Sequence, residues 1–214
     1  MQISNLGSAA VFSLAFALTS QSALAETMIN PSQDTLGEAV QLGTDNFDQH
    51  PVAFQWDYLT NLGLGYPEVL LRTRYLAVAD YVRRSEFQRK FGTQRVHEIT
   101  DERIKAAHDE VVGGLQFIVT ASGPTEDFML AYEFSMSVGD AVLEPILVDA
   151  PQKASPSGFM GDIAYTAGAI VDFDASGLSG TESVTLLVKA PDGRGPSGAR
   201  NSAYEIPYDL SILK

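Results

Sequence analysis

The stretch Asp172-Phe173-Asp174-Ala175-Ser176-Gly177 places side-chain oxygens at its first, third and fifth positions and a glycine at its sixth. That is the opening pattern of a calcium loop, and it makes Asp172, Asp174 and Ser176 candidate ligands for Ca2+. The pattern then departs, because Glu182 falls one residue short of the closing position and no helices are expected on either side. Aspartate and serine in a connection between strands are also ordinary turn formers. Calcium is the one cofactor that these residues suggest.

Other chemistries find weaker footing. Histidine is the commonest general base and metal ligand, and the chain has three, His50, His97 and His108. None belongs to an H-x-x-x-H pair or a zincin pattern. With no cysteine, a thiolate nucleophile, a lipid-bearing cysteine and a disulfide are all excluded. Gly177-Leu178-Ser179-Gly180 lacks the second glycine of a nucleophile elbow and lies between expected strands. Gly193-Arg194-Gly195-Pro196-Ser197-Gly198 is broken by proline and lacks the lysine of a phosphate loop. Two carboxylates for hydrolysis need only meet in space. With 27 acidic residues available, an extracytoplasmic hydrolase stands as an alternative class.

Charge is distributed unevenly. The chain carries a net charge of −13, yet the segment from Arg72 to Lys105 holds nine basic residues against five acidic ones. An acidic molecule of this kind is a poor match for nucleic acid, whose phosphates call for a basic face. The basic segment either packs on an acidic face of the same chain or offers Arg72, Arg83, Arg84, Arg89 and Lys90 to a protein partner.

The elements that would position these residues follow from the ends inward. Residues 8–18 are apolar but too short to cross a bilayer, and Ala23-Leu24-Ala25 precedes Glu26 with small residues where a signal peptidase requires them. Residues 1–25 therefore read as a signal peptide cleaved after Ala25, which places the protein in the periplasm or the medium. No later segment is long and apolar enough to span a membrane as a helix. From Glu26 to about Pro51 the chain is polar, with one turn of helix expected near Leu36 to Leu42. The cluster Phe54, Trp56, Tyr58, Leu59 and Leu62 reads as a core anchor. Leu71, Tyr75, Val78 and Val82 form one apolar stripe, so Glu68 to Phe91 is expected to be helical, with a break near Ser85. Thr100-Asp101-Glu102 opens a further helix that runs to Gly113-Gly114.

After the glycine pair the period changes to two. Leu115 to Ala121, Phe128 to Val138, Ile163 to Asp174, Ser183 to Ala190 and Tyr204 to Ile212 read as strands, and Pro145 demotes Val142 to Val148 to an edge. The expected fold is α+β: an N-terminal helical layer of two or three helices, followed by an antiparallel immunoglobulin-like β-sandwich. Residues 26–113 would form the irregular lead and helical region, and 114–214 the sandwich.

Tyr75-Leu76 and Phe87-Gln88-Arg89 on a helix, Leu115-Gln116-Phe117-Ile118-Val119, Glu144-Pro145-Ile146, Ser183-Val184-Thr185-Leu186-Leu187-Val188 and Pro191-Asp192-Gly193-Arg194 occur in this order. The arrangement resembles that of uncharacterised bacterial envelope proteins in which a helical lead docks on a sandwich, though this chain lacks the lipobox cysteine many of them carry. The resemblance implies a fold and a compartment, and no activity. The function expected from the sequence is a non-catalytic exported binding and assembly module with a protein partner in the cell envelope; a calcium-stabilised adhesive module is a further alternative.

Overall fold

A computed structural model of the chain describes residues 28–61, 66–92, 98–157, 165–178, 180, 182–190 and 203–212. The signal-like segment 1–25, His97, Ser179 and the glycine-rich stretch 193–198 lie outside the described residues. Among the described residues, no helix is long and apolar enough to cross a membrane.

The fold is mixed α+β, with a helical region ahead of two antiparallel sheets. Helix α1 (Gln33–Asp45) starts where Ser32 Oγ accepts the Thr35 N–H, which satisfies one of the free donors of the first turn. Its buried positions Thr35, Ala39 and Gly43 recur every four residues and form a narrow stripe of small side chains. A short helix α2 (Pro51–Phe54) follows. Helix α3 (Arg74–Phe91) is capped by Thr73 Oγ1, which accepts the Leu76 N–H, and α4 is Asp101–Asp109. Both α1 and α4 pack against α3.

The first sheet contains β1 (Leu59–Asn61), β2 (Glu68–Thr73), β3 (Gly114–Gly123), β8 (Tyr165–Asp174) and β6 (Leu147–Asp149), in that order, with β7 (Ser155–Pro156) also on β8. The second runs β10 (Ala203–Asp209), β9 (Ser183–Lys189), β4 (Glu133–Val138), β5 (Ala141–Leu143). Their buried faces share one core. Phe117 of β3 packs edge-on to Phe173 of β8 and at 5.4 Å from Tyr208 of β10, and the Tyr208 hydroxyl donates to the Val69 carbonyl at 2.8 Å.

Several local readings of the sequence need correction. Glu68–Thr73 is a strand, not the start of the helix: Val69, Leu71 and Thr73 are buried in alternation and β2 pairs with β3. Over six residues Leu71 satisfies a period of two as well as it satisfies the helical stripe, and pairing with β3 decides between them. Through β2, the segment preceding Gly113 enters the first sheet. Helix α3 runs unbroken through Ser85. Phe128–Ala131 is a 3-10 turn rather than strand, and β4 begins only at Glu133. The segment around Pro145 divides into β5 and β6, which lie at edges of different sheets. Trp56 is 67 % exposed rather than a core anchor, because it sits on a 3-10 turn that packs Tyr58 inward and leaves the indole outside.

Candidate functional site

The five cations singled out from the sequence divide into two groups. Arg72 and Arg83 turn inward. Arg72 donates to Glu110 Oε2 at 2.8 Å and to Gln116 Oε1 at 3.1 Å. The Arg83 side chain is 3 % exposed, donates to Asp80 Oδ1 at 2.9 Å and to the Gln49 carbonyl at 3.1 Å, and lies over the Phe54 ring. Arg84, Arg89 and Lys90 face solvent. Arg84 shares Asp80 with Arg83, Arg89 pairs with Glu86, and Lys90 Nζ stands 4.2 Å above the Phe47 ring centroid.

Helix α3 explains this division. Its first three turns are buried on nearly every side, from Tyr75 to Ser85, because α1, α4 and β2 surround them. Its last two turns extend beyond these neighbours, leaving Phe87 and Phe91 46 % and 58 % exposed. The two rings are 5.2 Å apart, and Phe47 stacks on Phe91 at 6.3 Å. Beside them, α3 and the turn 48–51 enclose an open cleft of about 370 Å³, lined in part by His50, Pro51, Arg84, Phe87 and Gln88. His50 caps α2, its Nδ1 accepting the Val52 N–H. Residues 80–91 carry four basic and two acidic side chains, so this end of the helix is locally positive on an acidic molecule. Partly exposed aromatics beside cations have the composition of an anchor point in protein recognition.

The proposed calcium ligands are placed differently. Asp172 is fully buried on the second face of β8, opposite Gln116 of β3. The Gln116 amide donates to both of its oxygens at 3.2 Å, and the Val112 N–H donates at 3.1 Å. Burial pushes the Asp172 carboxyl above its ordinary pKa, against these donors and the guanidiniums of Arg72 and Arg74, which pull it down. Asp174 Oδ1 accepts the Ser176 N–H at 2.9 Å, and hydrogen bonding from Ser176 lowers its carboxyl. Ser176 thus serves as a turn partner of Asp174, while both oxygens of Asp172 are engaged by the protein's own N–H groups. Among the described residues, no three His, Asp or Glu side chains are grouped to hold a metal ion.

A second groove, of about 590 Å³, separates α1 from α4, with Leu36, Val40 and Ile104 on its walls and His108 at one end. His108 Nδ1 lies 2.9 Å from Asp109 Oδ1. Val142 of β5, Leu147 and Val148 of β6, and Ile146 between them expose apolar surface at edges of the two sheets. Sequence reasoning did not identify the exposed Phe87 and Phe91, with the half-buried Phe47 stacked on Phe91, as a cluster. The signal was present in the four-residue spacing of Phe87 and Phe91 beyond the buried stripe of α3. Comparison with known proteins finds no matching family model, no matching curated protein and no matching solved structure.

Proposed function

We propose that this chain is an exported, non-catalytic binding and assembly module of the cell envelope, which docks an acidic protein partner through the cleft beside α3. One observation carries the reading: the outer turns of α3 leave Phe87 and Phe91 half-exposed near the solvent-facing Arg84, Arg89 and Lys90, with Phe87 and Arg84 lining an open cleft, on a chain whose net charge is −13. Exposed cations on an acidic body steer acidic partners, and the aromatic side chains supply apolar area for the contact to bury. Export is supported by the apolar segment 8–18 and by Ala23-Leu24-Ala25. Cleavage after Ala25 would leave Met28 and Ile29, both buried in the core, on the mature chain. The same proposal takes the paired sheets as an immunoglobulin-like sandwich serving as scaffold, a reading supported by the Tyr208 to Val69 bond between them.

The test is affinity capture from envelope extract with the full chain and with an Arg89→Glu/Lys90→Glu variant, at low and at high salt. The proposal expects a protein held by the native chain and lost in the variant, with retention weakened by salt because exposed charges are screened. An identical set of captured proteins for both chains, or none for either, would refute docking through α3.

A further inference from the structure

Helix α1 contains two glycines, and packing explains only one of them. A Cβ on Gly43 would lie 2.3 Å from the Ala79 carbonyl oxygen and 2.8 Å from Val82 Cβ, so α1 needs glycine there to cross α3 closely. Gly37 is also inside the helix, where glycine is less favourable than alanine. A Cβ at Gly37 would meet nothing within 4 Å. The fold therefore tolerates a side chain at this position, and what glycine preserves is open space.

That space belongs to the groove between α1 and α4. Leu36, Gly37 and Val40 form one wall, Ile104 and His108 the other, and Asp101, Lys105 and Asp109 line its acidic rim. Lys105 is paired with Asp109, so these two cancel and Asp101 carries the net negative charge of the lining. Asp34, Glu38 and Glu102 stand exposed on the same two helices. The α1 wall from Gln33 to Val40 covers two helical turns, roughly 11 Å at the rise of an α-helix.

We propose that this groove takes a short amphipathic helix from a partner protein, apolar on the face that enters and basic on its flanks. The furrow lies between two helices that rest on a third and has apolar side chains on both walls, the setting in which an amphipathic helix buries its apolar face. Gly37 allows that helix to approach α1 at the backbone, as Gly43 allows α3 to do. The acidic rim selects lysine and arginine for its flanks. This surface is distinct from the cleft beside α3, so the inference stands whether or not that cleft binds.

The probe is a fluorescein-labelled peptide of about 15 residues with leucine at i, i+3, i+4 and i+7 and lysine elsewhere, titrated with the full chain by fluorescence anisotropy. Saturable binding is expected, about tenfold or more weaker for the same peptide with glutamate in place of lysine, and weaker by a similar factor for Gly37→Trp. Thr44→Trp, exposed on α1 outside the groove, should bind as the native chain does. If circular dichroism shows that Gly37→Trp does not fold, Asp101→Asn serves instead, and should weaken binding of the lysine peptide and reduce its salt dependence. Equal binding of both peptides, or equal binding by Gly37→Trp, would overturn the proposal. So would an apolar dye or fatty acid that fills the groove and excludes the peptide, or self-association of the chain that Gly37→Trp removes.

Discussion

At Gln116 the carboxamide accepts a hydrogen bond from Arg72 and donates to both oxygens of Asp172, so one uncharged side chain links a cation to a buried anion. Gln116→Leu would leave Asp172 with the Val112 N–H as its remaining donor in this network. The substitution should cost about 1–3 kcal/mol, measured by chemical denaturation. The pH dependence has a definite sign. Because burial raises the Asp172 carboxyl, the folded state takes up this proton more readily than the unfolded chain. Its contribution is present at low pH and is lost as pH rises through the raised value. Glu102, Asp109, Asp174 and Asp209, held low by hydrogen bonds, have the opposite sign, and their contribution is lost as pH falls. The native chain should therefore lose stability relative to Asp172→Asn as pH rises from the ordinary aspartate range; a difference that does not vary with pH would contradict the assignment. Asp172 read as a calcium ligand in the sequence because the local spacing of oxygens is visible there, whereas Gln116, 56 residues away, is not.

Helix α3 has a buried half and an exposed half, and the two call for different outcomes from similar substitutions. Arg83→Ala removes a buried guanidinium from Asp80 and the Gln49 carbonyl, and should cost about 3 kcal/mol. Arg84→Ala and Lys90→Ala should each stay within about 0.5 kcal/mol, since neither side chain is buried. Thermal unfolding of the three variants checks the division. On α1, Gly43→Ala should cost about 1–3 kcal/mol through its collision with Ala79, while Gly37→Ala should gain up to about 1 kcal/mol from helix propensity. The stripe Tyr75, Val78 and Val82 was legible in the sequence because it repeats with the helical period. That Arg83 turns inward while its neighbour Arg84 does not depends on the 46–55 turn packing across α3, which leaves no periodic trace. The candidate site was thus half legible: its cations stood out by composition, and its aromatics were hidden within a helix whose far end had no visible neighbour.

Across the whole molecule, the two sheets are joined by side chains whose partners lie far away in sequence. Burial pushes the Tyr208 hydroxyl up to about 12, so it remains a donor to Val69 through the neutral range. Tyr208→Phe should lower stability by about 1 kcal/mol by removing that hydrogen bond, as urea denaturation would show. The alternation of Tyr204, Ile206 and Tyr208 made β10 readable from sequence, and Pro207 is tolerated because β10 is an edge. The order of strands was not readable, because β5 and β6 flank a single proline yet join different sheets. The central claim is that partners meet the exposed end of α3, and site-specific photo-crosslinking in intact cells tests it most directly. A photoreactive phenylalanine replaces Phe87 in one chain and the exposed Glu205 of β10 in another. The predicted result is a crosslinked protein from position 87 and none from position 205. Adducts from 205 alone, or from neither position, would contradict docking at α3.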